Sequence, residues 1–129
     1  MSQLFSRILY IEDDLDTREL VAFVLSSNAC QVVTSPDHDH ALALAKRERF
    51  DLYIIDNWLP GISGTDLCKH LREFDSKTPI LFYSGAAFDT DRRNALSCGA
   101  QGYLIKPASP DLLLAEVTRL ISESRAAAC

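Results

Sequence analysis

The chain has 129 residues, 47% hydrophobic and 24% charged, which suits one ordinary globular core and excludes disorder, collagen and a pure coiled coil. Its 13 basic and 18 acidic side chains leave a formal net charge of −5; because nucleic-acid affinity comes largely from neutralising phosphates, direct nucleic-acid binding is not expected. No stretch approaches the roughly 20 apolar residues of a membrane span, and Met1 to Arg7 lack the apolar segment and cleavage site of a signal peptide, so a soluble, cytoplasmic domain without membrane contact is expected.

Ile8-Leu9-Tyr10-Ile11 is a short β-rich run that stops at the acidic cluster Glu12, Asp13 and Asp14. Leu15, Leu20, Val21, Phe23, Val24 and Leu25 then recur at helical spacing, with Asp14 or Asp16 as the cap and Asn28 as the stop. Gln31 to Thr34 predict a second strand, and Ser35-Pro36-Asp37 predict entry into a helix that ends at Lys46-Arg47. Leu52 to Ile55 form a third strand ending at Asp56. Pro60-Gly61 mark a loop, and Leu67, Cys68 and Leu71 give the inner stripe of the next helix. Pro79 to Tyr83 form the fourth strand, ending at Ser84-Gly85, followed by a weak helix from about Thr90 to Ser97 closed by Gly99. Gly102 to Ile105 form the fifth strand, ending at Lys106-Pro107. The last helix covers about Pro110 to Ser124, with Leu113, Val117, Leu120 and Ile121 on one face.

Strands that are apolar on both faces and alternate with helices predict a doubly wound α/β fold around a parallel sheet. Ligands of such sheets bind beyond the carboxyl ends of the strands. That edge receives Glu12 and Asp13 from the first strand, Asp56 from the third, Ser84 from the fourth and Lys106 from the fifth. Crowded carboxylates repel unless a cation lies between them, and Mg2+ is the hard, oxygen-seeking ion that shares phosphate oxygens. Lys106 and Ser84 add a positive charge and a hydroxyl for a phosphoryl group, and an ionised Asp56 needs no general base to accept one. Taken singly, each group also fits a cap or a turn; the joint placement carries the inference.

Smaller motifs are weaker. Asp14-Leu15-Asp16-Thr17 is superficially similar to the nucleophile motif of haloacid-dehalogenase-type phosphatases, but one residue is missing before the threonine. His38-Asp39-His40 suggests a metal site, yet two histidines two apart on a helix point different ways, so a solvated first turn is expected. His70 is expected to be an exposed helix residue, and Trp58, Phe82 and Phe88 to serve loop and core packing. Cys30, Cys68, Cys98 and Cys129 have no metal-like spacing and are expected to be reduced. Neither a G-x-G-x-x-G motif nor a P-loop is present, so nucleotide binding is not expected.

The blocks Ile8 to Asp14, Asp56 to Gly64, Tyr83-Ser84-Gly85-Ala86 and Tyr103-Leu104-Ile105-Lys106-Pro107 resemble the signature segments of the response-regulator receiver domain of two-component signalling, the CheY-like superfamily. The resemblance implies a flavodoxin-like (βα)5 domain with strand order 2-1-3-4-5, a single receiver over residues 1–129 (core about 6–124), and no output domain in this chain. It implies Asp56 as phospho-acceptor and Mg2+ (or Mn2+) held by Glu12, Asp13, Asp56 and the backbone carbonyl of Trp58. Ser84 and Lys106 would bind the phosphoryl group and Tyr103 would be the aromatic switch, with a cis bond before Pro107. Trp58 and Ala86 would tune dephosphorylation. Glu12 stands where the family often has Asp, and Ile62-Ser63 where an acidic residue often precedes the glycine.

The expected function is a switch, not an enzyme acting on other substrates. A histidine kinase or histidine phosphotransfer protein would phosphorylate Asp56, and the face made by the fourth helix, fifth strand and fifth helix would then engage an output protein or pair as a homodimer. A phosphorylation-independent interaction module is the alternative, and a metal-dependent phosphatase a third reading.

Overall fold

The structure, a computed structural model, describes residues 6–128; Met1 to Phe5 and Cys129, on which the expectations of no leader and of a fourth reduced cysteine partly rest, lie outside the described residues. The elements run β1 (Ser6–Ile11), α1 (Leu15–Ser26), β2 (Cys30–Ser35), α2 (His38–Arg47), β3 (Leu52–Ile55), β4 (Trp58–Leu59), β5 (Ile62–Ser63), α3 (Gly64–Phe74), β6 (Ile80–Ser84), α4 (Asp89–Ser97), β7 (Gly102–Ile105) and α5 (Pro110–Ala128). Five strands form a parallel sheet in the order β2-β1-β3-β6-β7. Counting only the strands of this sheet, that is the expected order 2-1-3-4-5.

Strand side chains alternate between the two faces, and each face has its own core. Leu9, Ile11, Tyr53, Ile55, Ile80 and Phe82 meet Ala41 and Leu44 of α2, Leu67, Cys68 and Leu71 of α3, and Ala95 of α4. Ile8, Tyr10, Leu52, Ile54, Leu81, Tyr83 and Leu104 meet Val21 and Leu25 of α1 and Leu113, Val117, Leu120 and Ile121 of α5. Burial of both faces explains why the strands read as continuous apolar runs. It also places Tyr10 and Glu12, two residues apart, on the α1/α5 side.

The helices start on side-chain caps. Asp14 Oδ2 accepts from the Thr17 N–H (2.9 Å) and hydroxyl (2.6 Å), so the phosphatase-like Asp14–Thr17 segment is capping chemistry. Asp37 caps α2 through the His40 N–H, and Ser63 caps α3 through the Asp66 N–H. At α4 the carboxylate of Asp91 reaches back to the Phe88 N–H. Gly99, at φ +110°, closes α4 as expected, in a conformation that disfavours any other residue.

Several expectations are corrected. Trp58–Leu59 and Ile62–Ser63 pair antiparallel around Pro60-Gly61, a small hairpin where only a loop was expected. The last helix continues past Ser124 to Ala128. Trp58 and Phe88 are 65% and 79% exposed, so neither packs in the core; Phe82 does. His70 is half-buried rather than exposed, because α2 packs beside α3 and His38 Nε2 lies 2.9 Å from His70 Nδ1. His38 and His40 do diverge, but only His40 is exposed at the surface. Cys30, Cys68 and Cys98 are free. No helix among the described residues is long and apolar enough to cross a membrane.

Asp75 ties the end of α3 to the entrance of β6. Its carboxylate accepts from the backbone N–H of Lys77 and Thr78 (3.0 Å each) and from the Tyr53 hydroxyl (2.7 Å). Burial alone would raise its pKa, but these donors outweigh burial and hold it at about 2. A depressed carboxyl stabilises the fold above its unfolded pKa, near 3.8, and that contribution is lost as pH falls through about 2. Asp75→Ala is therefore expected to melt lower at neutral pH, and the two acid-unfolding curves, followed by circular dichroism, are expected to converge toward pH 2.

Candidate functional site

The parallel ladder carries the predicted residues to one edge. Glu12 N–H donates to the Ser35 carbonyl beyond β1 (3.0 Å), Asp56 N–H to the Ile11 carbonyl beyond β3 (3.4 Å), and Lys106 N–H to the Ser84 carbonyl beyond β7 (2.9 Å). Each of these residues is thus fixed by its backbone before its side chain makes any contact.

The side chains converge. Carboxylate oxygens of Glu12, Asp13 and Asp56 lie within 4.8 Å of one another. Glu12 and Asp56 are 1% and 6% exposed, whereas Asp13 faces solvent. The Lys106 ammonium bridges the two buried carboxylates, donating to Glu12 Oε1 and, at 2.9 Å, to Asp56 Oδ2. Asp56 Oδ1 accepts from the Trp58 N–H at 3.2 Å, which sets the peptide of β4 against the acceptor carboxylate.

Three carboxylates facing one ammonium leave the cluster with excess negative charge. Burial raises the pKa of Glu12, and Asp56 adds to the rise while Lys106 and the Asp14 N–H oppose it. Burial works to lower the Lys106 pKa, but its hydrogen bonds to Glu12 and Asp56 outweigh burial and raise it. Both groups hold their protons more tightly, Glu12 chiefly because it is buried and Lys106 because two carboxylates face it.

Sequence reasoning missed three contributors. Tyr10 is fully buried in β1 and donates its hydroxyl to Glu12 Oε1 at 3.2 Å. Burial, then the Glu12 charge, pushes its phenol well above the ordinary value, so it remains a donor. Strand alternation, which puts residues two apart on one face, was the available signal. Arg18 holds the Glu12 backbone carbonyl through Nη1 at 2.8 Å. Gly64 lies so close to the turn after β3 that a Cβ would overlap the Asp56 carbonyl oxygen and sit 2.8 Å from Asn57 Cα.

Ser84 and Tyr103 are adjacent to this cluster but joined to each other. Ser84 is fully buried and its Oγ accepts from the Ala86 N–H (3.2 Å), while the Tyr103 hydroxyl donates to the Ala86 carbonyl (2.6 Å). The Tyr103 ring stacks on Phe82, with centroids 5.8 Å apart and planes 12° from parallel. The ring therefore already lies inward. Trp58 packs its ring 3.6 Å from where a Cβ on Gly85 would be, so it stands over the loop after β6. The Lys106–Pro107 bond is cis, as expected.

The family pattern described as "Response regulator receiver domain" matches residues 8–118. The chain is 38% identical over 114 residues to the phosphate regulon transcriptional regulatory protein PhoB of Escherichia coli, covering 86% of this chain and 49% of that protein. It is 33% identical over 119 residues to the cell cycle response regulator CtrA of Brucella ovis, covering 92% and 51%. The chain thus spans about half the length of these curated relatives. Among solved structures it is similar to the chemotaxis response regulator CheY4 of Vibrio cholerae, with TM-score 0.81, 29% identity and coverage of 91% and 99%. The CheY-like receiver of Methanospirillum hungatei shares the fold at TM-score 0.90, 24% identity and coverage of 95% and 98%.

Two substitutions probe the site's construction. Gly64→Ala is expected to destabilise the fold by about 1–3 kcal/mol through overpacking against backbone, read as a lower denaturant midpoint. Tyr10→Phe is expected to cost about 1–2 kcal/mol, the loss of one buried hydrogen bond to a charged acceptor, with the fold preserved by circular dichroism.

Proposed function

From the premise that this chain belongs to the response regulator receiver domain family of two-component systems, we propose that it is a phosphorylation-dependent signalling switch with Asp56 as the acceptor. The observation that carries the reading is the buried pair Glu12–Asp56 bridged by Lys106 at the carboxyl edge of the sheet, with Asp13 beside it. The donor set is all oxygen and mostly carboxylate, which fits a hard ion such as Mg2+, with Mn2+ as a substitute. Glu12, Asp13, Asp56 and the Trp58 carbonyl would hold the ion, which when bound supplies positive charge beside the transferring oxygens.

The protein groups have distinct tasks. An oxygen of Asp56, aimed by the Trp58 N–H, forms the new bond to phosphorus as the phosphorus–nitrogen bond of a donor phosphohistidine breaks. The electron pair of that bond returns to the imidazole, and Asp56 becomes an acyl phosphate. Lys106, already 2.9 Å from Asp56 Oδ2, transfers its hydrogen bond to a phosphoryl oxygen. The donor is a histidine kinase or a histidine phosphotransfer protein.

The switch follows from Ala86. Ser84 Oγ accepts from the Ala86 N–H, and the same residue's carbonyl holds Tyr103, so a Ser84 hydroxyl drawn to a phosphoryl oxygen pulls on the residue that holds Tyr103. Displacement of the Ser84–Ala86 loop therefore reaches the face formed by α4, β7 and α5. That face exposes Leu96, Ile105 and Leu112 at 41–48%, apolar surface on which an output protein or a second copy would dock.

Incubation with Mg2+ and a small phosphodonor is expected to add one phosphoryl group to the wild type and none to Asp56→Asn, read by intact mass. A phosphorylated Asp56→Asn protein would overturn the assignment. Trp58, the chain's single tryptophan, adjoins the acceptor, so Mg2+ is expected to change its fluorescence in the wild type and not in Asp13→Asn.

A further inference from the structure

A second set of metal-ligating side chains converges away from the carboxylate cluster. His38 opens α2 and His70 lies within α3, on the same face of the sheet. His38 Nε2 and His70 Nδ1 are 2.9 Å apart, with ring centroids 5.1 Å apart and planes at 62°. The other ring nitrogen of His38, Nδ1, is 3.1 Å from Asp39 Oδ1. In the tautomer whose Nδ1–H donates to Asp39 Oδ1, Nε2 of His38 is bare and faces His70. A carboxylate behind an imidazole in this way fixes tautomer and ring orientation and raises ligand basicity, the arrangement that supports metal-binding histidines.

The site is also reachable. The His38 side chain is 15% exposed, and a surface cleft of about 420 Å³ bordered by Asp37, His38, Asp39, Pro60, Gly61 and Ile62 opens beside it.

We propose that His38 Nε2 and His70 Nδ1 form a two-imidazole site for a divalent transition-metal ion of the Zn2+ class, bridging α2 and α3. Nitrogen donors suit such borderline ions, as oxygen donors suit Mg2+, so the two sites differ in selectivity. Binding is a ligand exchange. The proton on His70 Nδ1 moves through solvent to its Nε2, two nitrogen-to-metal bonds form, and the aqua ion sheds the waters that these bonds and the tetrahedral geometry displace. Metal–nitrogen bonds of about 2.0–2.1 Å at a tetrahedral angle place the nitrogens about 3.3 Å apart, a few tenths of an ångström beyond their present spacing. Water completes the coordination. His40 is outside the site, since its Nδ1 lies 2.8 Å from Ser35 Oγ.

Calorimetric titration of the whole chain with Zn2+, in saturating Mg2+ so that the carboxylate cluster is occupied, tests this directly. One ion is expected per chain, and the ring resonances of His38 and His70 are expected to shift while those of His40 stay in place. His38→Gln and His70→Gln are each expected to weaken binding by at least about tenfold, Asp39→Asn by about tenfold, and His40→Gln to leave it unchanged. Unshifted His38 and His70 rings, or Zn2+ affinity unaffected by both glutamine variants, would overturn the proposal. The wild-type ring resonances decide the matter should either variant fail to fold. Failure of phosphorylation at Asp56 would leave this result untouched.

Discussion

The Lys106 ammonium between Glu12 and Asp56 is the contact on which the carboxyl edge of the sheet depends. Two carboxylates this deeply buried repel each other and lack water to screen them, so neither is tolerable alone. Lys106 comes from β7, two strands away from β3 across β6, and closes the edge electrostatically. A buried ion group of this kind adds little to stability as a whole, while removing one partner costs about 3–5 kcal/mol because the remaining charge is stranded. The arrangement therefore makes better sense as readiness to receive another charged group than as a device for stability. Its three carboxylates against one ammonium favour a further cation, and a cation in turn favours phosphoryl oxygens.

Precision at this edge comes from backbone as much as from charge. Asp56 hangs from the end of β3, its carbonyl nearly touching Gly64, and the Gly64 N–H donates to the Asn57 carbonyl at 2.8 Å. The β4–β5 hairpin fills the short connection between them and turns the Trp58 N–H onto Asp56 Oδ1. Behind the carboxylates, Tyr10 and Arg18 fix the side chain and carbonyl of Glu12 from within the α1/α5 layer. Side chains held from two sides in this way need little reorganisation when charge develops beside them.

How much of this the sequence revealed follows from the range of the interactions. The alternation of strands and helices was legible because burial on both faces leaves uninterrupted apolar runs, and the strand order followed once the family was recognised. Glu12, Asp13, Asp56 and Lys106 were legible as a group because each terminates such a run, and a parallel sheet brings those ends together. The β4–β5 hairpin was not, since two-residue strands carry no periodicity. The His38–His70 contact was not either, because it joins residues 32 apart through the packing of two helices, and no spacing within either helix reports it. Tyr10 was within reach of strand alternation, yet in a strand buried on both faces an aromatic residue reads simply as core.

The inward position of Tyr103 bears on how such a domain switches. With the ring stacked on Phe82 and its hydroxyl on the Ala86 carbonyl, Tyr103 is tied to the same residue that Ser84 touches. Ser84 touches that residue from the other side: its Oγ accepts from the Ala86 N–H, and the hydroxyl keeps its own proton to donate. Both backbone groups of Ala86 are thus committed, one to each partner, in a residue only 3% exposed. Displacing either side chain would leave a buried backbone group of Ala86 without its partner, so Ser84 and Tyr103 are coupled through that residue. On the proposed reading of Asp56 as phospho-acceptor, Ala86 is the residue through which a change at the carboxylate edge reaches Tyr103 and the α4–β7–α5 face.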